Sequence, residues 1–273
     1  MRGYGSGMTD APSRGVRPPR LALEGKLEEE LLSGRLAAGE QLPSERVLAE
    51  RYNVSRPIVR EVLRSLQERG LLDVVPGRGT FVRPPRVADG ARPLDSFYRR
   101  RQATPREVAE ARIMVETVTA AAAARLATPE DLAELRITLE RFDHADTVIG
   151  KARQDIVFHA TIARIARNSV IEVMFASVSG LAFEQMLRSL ADPEVVRAGE
   201  PFHRQIYEAI REHDPARASQ AMLEHLSVAQ RLYGADYDAS LDALARRELE
   251  RLGPAVSLDH LLNEVFEQVA PDR

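Results

Sequence analysis

The stretch LPSERVLAERYNVSRPIVREVLRSLQERGLLDVVPGRGTFV, residues 42–82, carries three local signals in order. Ser44 opens a short helix whose Val47, Leu48 and Tyr52 share one face, and Asn53-Val54 breaks it. Ser55 is a second N-cap, with Pro57 in the first turn where a missing N–H does no harm. Val59, Val62, Leu63 and Leu66 then form a buried stripe that Gly70 ends. Two β-prone runs around Pro76-Gly77-Arg78-Gly79 predict a hairpin. Upstream, Leu23, Leu27 and Leu31 recur every four residues before Gly34, so an amphipathic helix is expected over 21–33. The order is helix, helix, turn, helix, hairpin.

On the helix opening at Ser55, Arg56, Arg60 and Arg64 are spaced by four, so they share the face opposite the valines and leucines. A helix fits the major groove of B-DNA, where arginines meet phosphates or guanine edges. From charge alone, a solvated surface face is an equal alternative. The blocks Gly39-x-x-Leu42-Pro43-Ser44-Glu45-Arg46, Val54-Ser55-Arg56, Val59-Arg60-Glu61, Gly70-Leu71 and Gly77-Arg78-Gly79-Thr80-Phe81-Val82 are more specific. They resemble the winged helix-turn-helix of the GntR family of bacterial transcription regulators, over about residues 20–83. The resemblance implies DNA contacts from Arg46, Ser55, Arg56 and Arg60, with Gly77 and Arg78 in the wing. Pro57-Ile58 departs from the Thr-Pro common in that family, which bears on the operator sequence read.

Composition frames this reading. The 273 residues contain no Cys, which excludes disulfides, thiolate metal sites and a cysteine nucleophile; any metal must sit on nitrogen and oxygen. Through residue 103 there are 19 Lys and Arg against 13 Asp and Glu, a balance of +6; the remainder, with 19 against 28, stands at -9. A basic front half on an acidic back half suits one domain that meets a polyanion and another that does not. Residues 1–19 lack the apolar core of a signal peptide and read as a disordered arm, and the longest apolar run, 118–124, is too short to span a membrane, so a cytoplasmic protein is expected. The Pro-, Arg- and Gly-rich stretch 84–103 reads as an interdomain linker.

From Thr104 onward only helical periods remain, so the fold class is mainly α: the winged module followed by an antiparallel bundle of six or seven helices. Asp155 and His159 lie four apart on one helix and point to one side, where they can share an ion. His203 reads as beginning a helix and His225 lies in the next; folded antiparallel, the two could bring their imidazoles to the same point. Such a set suits a divalent transition metal, zinc first, with nickel, manganese, cobalt and iron as alternatives, and leaves positions open. Arg112 has Glu116 four residues along as a structural partner, an alternative to any ligand role.

Glu110-Ala111-Arg112 with Glu116, Asp155-x-x-Phe158-His159 with Asn168, His203-Arg204 before Ala209-Ile210, and His225-Leu226 resemble, in that order, the FCD ligand-binding domain found in one GntR subfamily. The resemblance covers about residues 104–232, within a helical domain bounded at 104–233. It implies one metal per chain on Asp155, His159, His203 and His225, and an effector site with Arg112 as the carboxylate clamp and Asn168 beside it. Arg167 stands where that family often has glycine. The extension 234–273 has leucine spacings for two helices that could pack on the bundle, join a dimer or bind a partner.

Together these expectations describe a non-enzymatic regulator. A homodimer binds a near-palindromic double-stranded operator under control of a small carboxylate, with no membrane partner. A metal-dependent hydrolase or isomerase acting on a carboxylic acid is the alternative. Pyridoxal chemistry is set aside because Lys26 and Lys151 are the only lysines.

Overall fold

Ser44 and Ser55 sit at the starts of two of the twelve α-helices found among residues 18–252 and 257–269, which the computed structural model describes. The chain divides into two units, 1–85 and 86–273. In the first, α1 (Pro19–Leu32), α2 (Glu45–Tyr52) and α3 (Arg56–Glu68) precede the strands β1 (Leu72–Val75) and β2 (Gly79–Val82). The two strands pair antiparallel, Leu72 with Val82 and Val75 with Gly79. The backbone before α2 extends the sheet, with Leu42 N–H donating to Thr80 O at 2.8 Å and Val82 N–H to Glu40 O at 2.8 Å. Leu23, Leu27, Leu48, Val59, Val62, Leu66 and Leu72 bury together as its core. Val47, expected on the buried face of α2, is exposed instead; Leu48 is fully buried, and Tyr52 packs half-buried against the same core.

The predicted arm falls largely outside the described residues; Pro19 already belongs to α1, whose first turn tolerates proline. The stretch read as a linker is corrected by α4 (Val87–Arg100), a helix that packs on α8 with Ala91 and Asp95 buried. Its Pro93 and polar composition hide the period, because the groups it buries include a carboxylate rather than an apolar stripe.

The second unit continues with α5 (Pro105–Leu126), α6 (Pro129–Asp143), α7 (Val148–Ile165), α8 (Ser169–Leu190), α9 (Pro193–Arg211) and α10 (Pro215–Leu232). Thr104 with Glu107 and Thr128 with Asp131 form capping boxes, so the side chains satisfy N–H groups that the helices leave free. The helix carrying His203 starts ten residues earlier than the sequence suggested and runs through Pro201. The extension forms α11 (Leu241–Leu252) and α12 (Leu258–Val269), and both pack on α8. Leu241, Leu244, Leu249, Leu258, Leu261 and Val265 are buried there, so these helices complete the bundle. By length and composition α8 could cross a membrane, but 67% of its apolar window is buried by its neighbours, which identifies a core helix.

Candidate metal centre and nucleic-acid interface

Four donors meet inside the bundle. Asp155 and His159 project from α7, His203 from α9 and His225 from α10, and one ligand atom from each lies within 4.8 Å of the others. Asp155 Oδ1 is 3.0 Å from His203 Nε2 and 3.1 Å from His159 Nε2, and His159 Nε2 is 3.2 Å from His225 Nε2. For metal–nitrogen bonds of about 2.0–2.1 Å, the corners of an octahedron or tetrahedron are about 2.9–3.4 Å apart. The observed separations are edges of such a coordination sphere. The sequence therefore placed all four residues together correctly, although it misplaced the start of α9.

The surroundings bias the protonation of three donors. Desolvation would raise the Asp155 carboxyl, but the charge of His203 and hydrogen bonds from His159 and His203 outweigh it and hold Asp155 well below the usual carboxylate range. Desolvation and the charges of His203 and His159 hold His225 well below an ordinary imidazole, in the neutral form a metal requires. On the far side of His159, Nδ1 contacts Glu116 Oε2, which leaves Nε2 to face the cluster. Desolvation opposes charge on Glu116 as well, yet Arg112 and His159 bring its carboxyl down to about 2. Phe142 and Phe158 meet the His203 ring edge-on at 4.7 and 5.1 Å between centroids and keep it from turning. Desolvation would lower the His159 imidazole, but Glu116 and Asp155 raise it above its ordinary value, so an ion entering there displaces a proton. Ionised Asp155, neutral His225 and a carboxylate behind His159 make a donor set that fits a divalent cation.

Arg112 is both the structural partner and the cavity residue. Its Nε donates to Glu116 Oε1 at 2.6 Å and Nη1 to Gln185 Oε1 at 3.4 Å, while Nη2 is buried without a partner. The guanidinium lines a cavity of about 60 Å³ together with Asp155, His203 and His225. The sequence missed Glu116 as the group orienting His159. Its i+4 distance from Arg112 was the available signal, since one carboxylate can serve both faces. Nothing local announced Gln185.

Asn168 is elsewhere and its effector assignment is corrected. It is the exposed N-cap of α8, its Oδ1 accepting from the backbone N–H groups of Val170 and Ile171 at 3.1 and 3.2 Å. Asparagine is favoured at that position for this reason alone. Arg167 beside it holds φ of 50°, which accounts for glycine as the easier residue there, and pairs with Asp131 at 2.6 Å. His213 Nδ1 faces Ala124 O at 2.8 Å, and His144 and His260 lie at the surface, all apart from the cluster.

In the first unit Arg46, Ser55, Arg56, Arg60, Gly77 and Arg78 are all exposed. Ser55 occupies the N-cap position, but its hydroxyl makes no capping bond and remains open to other partners. Arg60 Nε lies 2.7 Å from Glu45 Oε2 and Arg56 Nη2 lies 3.6 Å from the same oxygen, so a single α2 carboxylate gathers both guanidiniums. Arg46 pairs with Glu50 on its own helix at 2.8 Å. Ile58 is half-buried against the core, which limits what it can offer a base. Gly77 and Gly79, with φ of 74° and 119°, turn the wing, and a Cβ on Gly79 would lie 2.6 Å from the Gln41 amide nitrogen that donates to Arg78 O. These exposed pairs are weak enough, at ~0–1 kcal/mol each, to exchange for phosphate.

Two families match in sequence: "Bacterial regulatory proteins, gntR family" over residues 19–82 and "FCD domain" over residues 107–228. The HTH-type transcriptional regulator LutR of Bacillus subtilis (strain 168) is 29% identical over 202 residues, covering 71% of this chain and 92% of its own. The uncharacterized HTH-type transcriptional regulator YcbG of the same organism is 30% identical over 197 residues, 72% of this chain and 82% of its own. A solved structure described as Streptococcus agalactiae GntR superposes with a TM-score of 0.61 at 25% identity, covering 78% of this chain and 99% of that one. These relatives are regulators of transcription rather than enzymes, and the winged module is a DNA-binding unit. With the winged module and the FCD domain both matched, the chain belongs to the GntR family of bacterial transcription regulators, in its FCD subfamily.

Proposed function

We propose that this regulator binds its operator under the control of a small carboxylate metabolite held beside a divalent metal in the FCD domain. The observation that carries the reading is Arg112: a buried guanidinium with Nη2 unpartnered, on the wall of a cavity shared with Asp155, His203 and His225. Leaving such a donor buried and unpaired is costly, so its partner is expected from the ligand. One carboxylate oxygen pairs with Arg112, and Glu116 and Gln185 hold the guanidinium in the orientation that receives it.

Asp155, His159, His203 and His225 would hold one ion per chain, zinc being the first candidate for three imidazoles and one carboxylate. When bound, the ion supplies an electrophilic site for a ligand oxygen. Arg46, Ser55, Arg56, Arg60 and the wing residues Gly77 and Arg78 form the DNA face. Two copies on a near-palindromic operator place their α3 helices in successive major grooves, with half-sites about 10 bp apart. Such a protein works in the cytoplasm. The effector acts only through its different affinity for the DNA-competent and incompetent shapes.

The test is metal analysis of protein purified without chelator or histidine tag, followed by carboxylate titration of wild type and Arg112→Ala. About one ion per chain in both proteins, with the acid bound by wild type alone, is expected. Metal-free wild type that cannot be loaded, or equal acid binding by the variant, overturns the assignment.

A further inference from the structure

The cavity beside the four donors is chemically two-sided. One end has Arg112 and the cluster; the remaining wall includes Met186, Leu190, Val195, Val196 and Val228. Among the residues lining it, Arg112 is the only lysine or arginine. Gln185 is already committed, its Nε2 donating to Pro105 O at 3.2 Å and its Oε1 facing Arg112. Ser189 is the only hydroxyl side chain lining this cavity.

We infer that the effector is a short-chain aliphatic monocarboxylate, its carboxylate at Arg112 and its alkyl tail against Leu190, Val195, Val196 and Val228. This rests on the carboxylate reading above. A second carboxylate at the far end of the ligand, out of reach of both Arg112 and an ion on the four donors, would sit among valines with no cation to meet it, and a polyol chain would bury several hydroxyls against one serine; both leave polar groups unpaired. Size points the same way. The cavity measures about 60 Å³, and a water-sized sphere fills about 10–15 Å³, so it takes about four to six such groups, the heavy atoms of an acid with about two to four carbons.

The test titrates full-length, zinc-loaded protein by calorimetry with acetate, propionate, butyrate, isovalerate, octanoate, succinate, malate and gluconate at one pH and ionic strength. Affinity is expected to rise about fourfold per added methylene from acetate to butyrate, and to fall for octanoate. Succinate, malate and gluconate should bind at least tenfold more weakly than butyrate. Leu190→Ala should flatten the rise with chain length, and Val196→Lys, at a half-buried position, should raise succinate relative to butyrate.

Succinate, malate or gluconate matching butyrate in wild type overturns the inference and leaves the carboxylate reading standing. No binding of any of these acids overturns both. Because the wild-type series is decisive alone, a variant that fails to fold does not remove the test.

Discussion

At the scale of single residues, the site depends on shared charges. Glu45 gathers Arg56 and Arg60, and Glu116 serves Arg112 with one oxygen and His159 with the other. Arg56→Ala and Arg60→Ala should each weaken operator binding. A base contact costs about 1–3 kcal/mol at one operator position, and a phosphate contact costs affinity uniformly and lowers the salt slope by about 1. Stability should barely change, because the pairs with Glu45 are exposed. Anisotropy titrations at several salt concentrations, beside urea melts, separate the cases, and unaltered affinity would remove these arginines from the interface. Glu116→Gln should reduce metal affinity about 10–100-fold, since the imidazole it orients is freed to turn. Competition against a chelator of known affinity measures this, and an unchanged constant would show that Glu116 serves Arg112 alone.

Among the elements, α8 is the hub, and its N-terminus and its middle test different ideas. Asn168→Ala removes the cap of α8 and should cost about 1 kcal/mol of stability in denaturant melts; if it weakened acid binding beyond that loss, the effector role excluded above would return. Farther along, Gly180 and Glu184 receive α4. Asp95 approaches Gly180 so closely that a Cβ there would collide with it, and Arg99 of α4 contacts Glu184, lies 2.9 Å from Asp95, and reaches Asp242 of α11 at 3.7 Å. Three carboxylates thus share Arg99, with Arg246 also near. Desolvation raises Glu184 to about 7 despite Arg99, with Asp242 and Asp95 adding to the rise.

A folded carboxyl raised above its unfolded value holds its proton more tightly than the open chain does. Its contribution is full below about pH 4.5 and is lost as pH climbs through about 7. Glu184→Gln should therefore melt near wild type at pH 5.5 and higher than wild type at pH 8. A variant equally destabilised at both values would show that the carboxylate itself anchors α4.

At the scale of the molecule, two separately cored units make two separable responses. The donors come from α7, α9 and α10, so an ion bound there joins three helices of the second unit and stabilises that unit by mass action. Calorimetric melting with and without chelator should lower the transition of residues 86–273 and leave that of the winged module in place. A shift of the winged module alone would contradict the site. Carboxylate added to chelated protein should restore little, since the ion that would share the carboxylate with Arg112 is gone.

The winged module was legible almost residue by residue. Its caps, glycines and four-residue spacings are local signals, and local hydrogen bonding suffices to place Ser44, Gly77 and the α3 arginines. The four metal-binding candidates were legible as a set, because Asp155 and His159 are one helical turn apart and antiparallel folding supplies His203 and His225. Helix α4 was not, since a helix that buries Asp95 under an arginine has no apolar period to read. Nor was the true place of Asn168, whose N-cap geometry depends on where α8 begins. The apolar wall and the free Nη2 of Arg112 arise from residues 70 or more positions apart, and only packing decides which side of each helix faces the cavity. Spacing within a helix is set by the backbone and can be read from one chain; contact between helices depends on every side chain that intervenes.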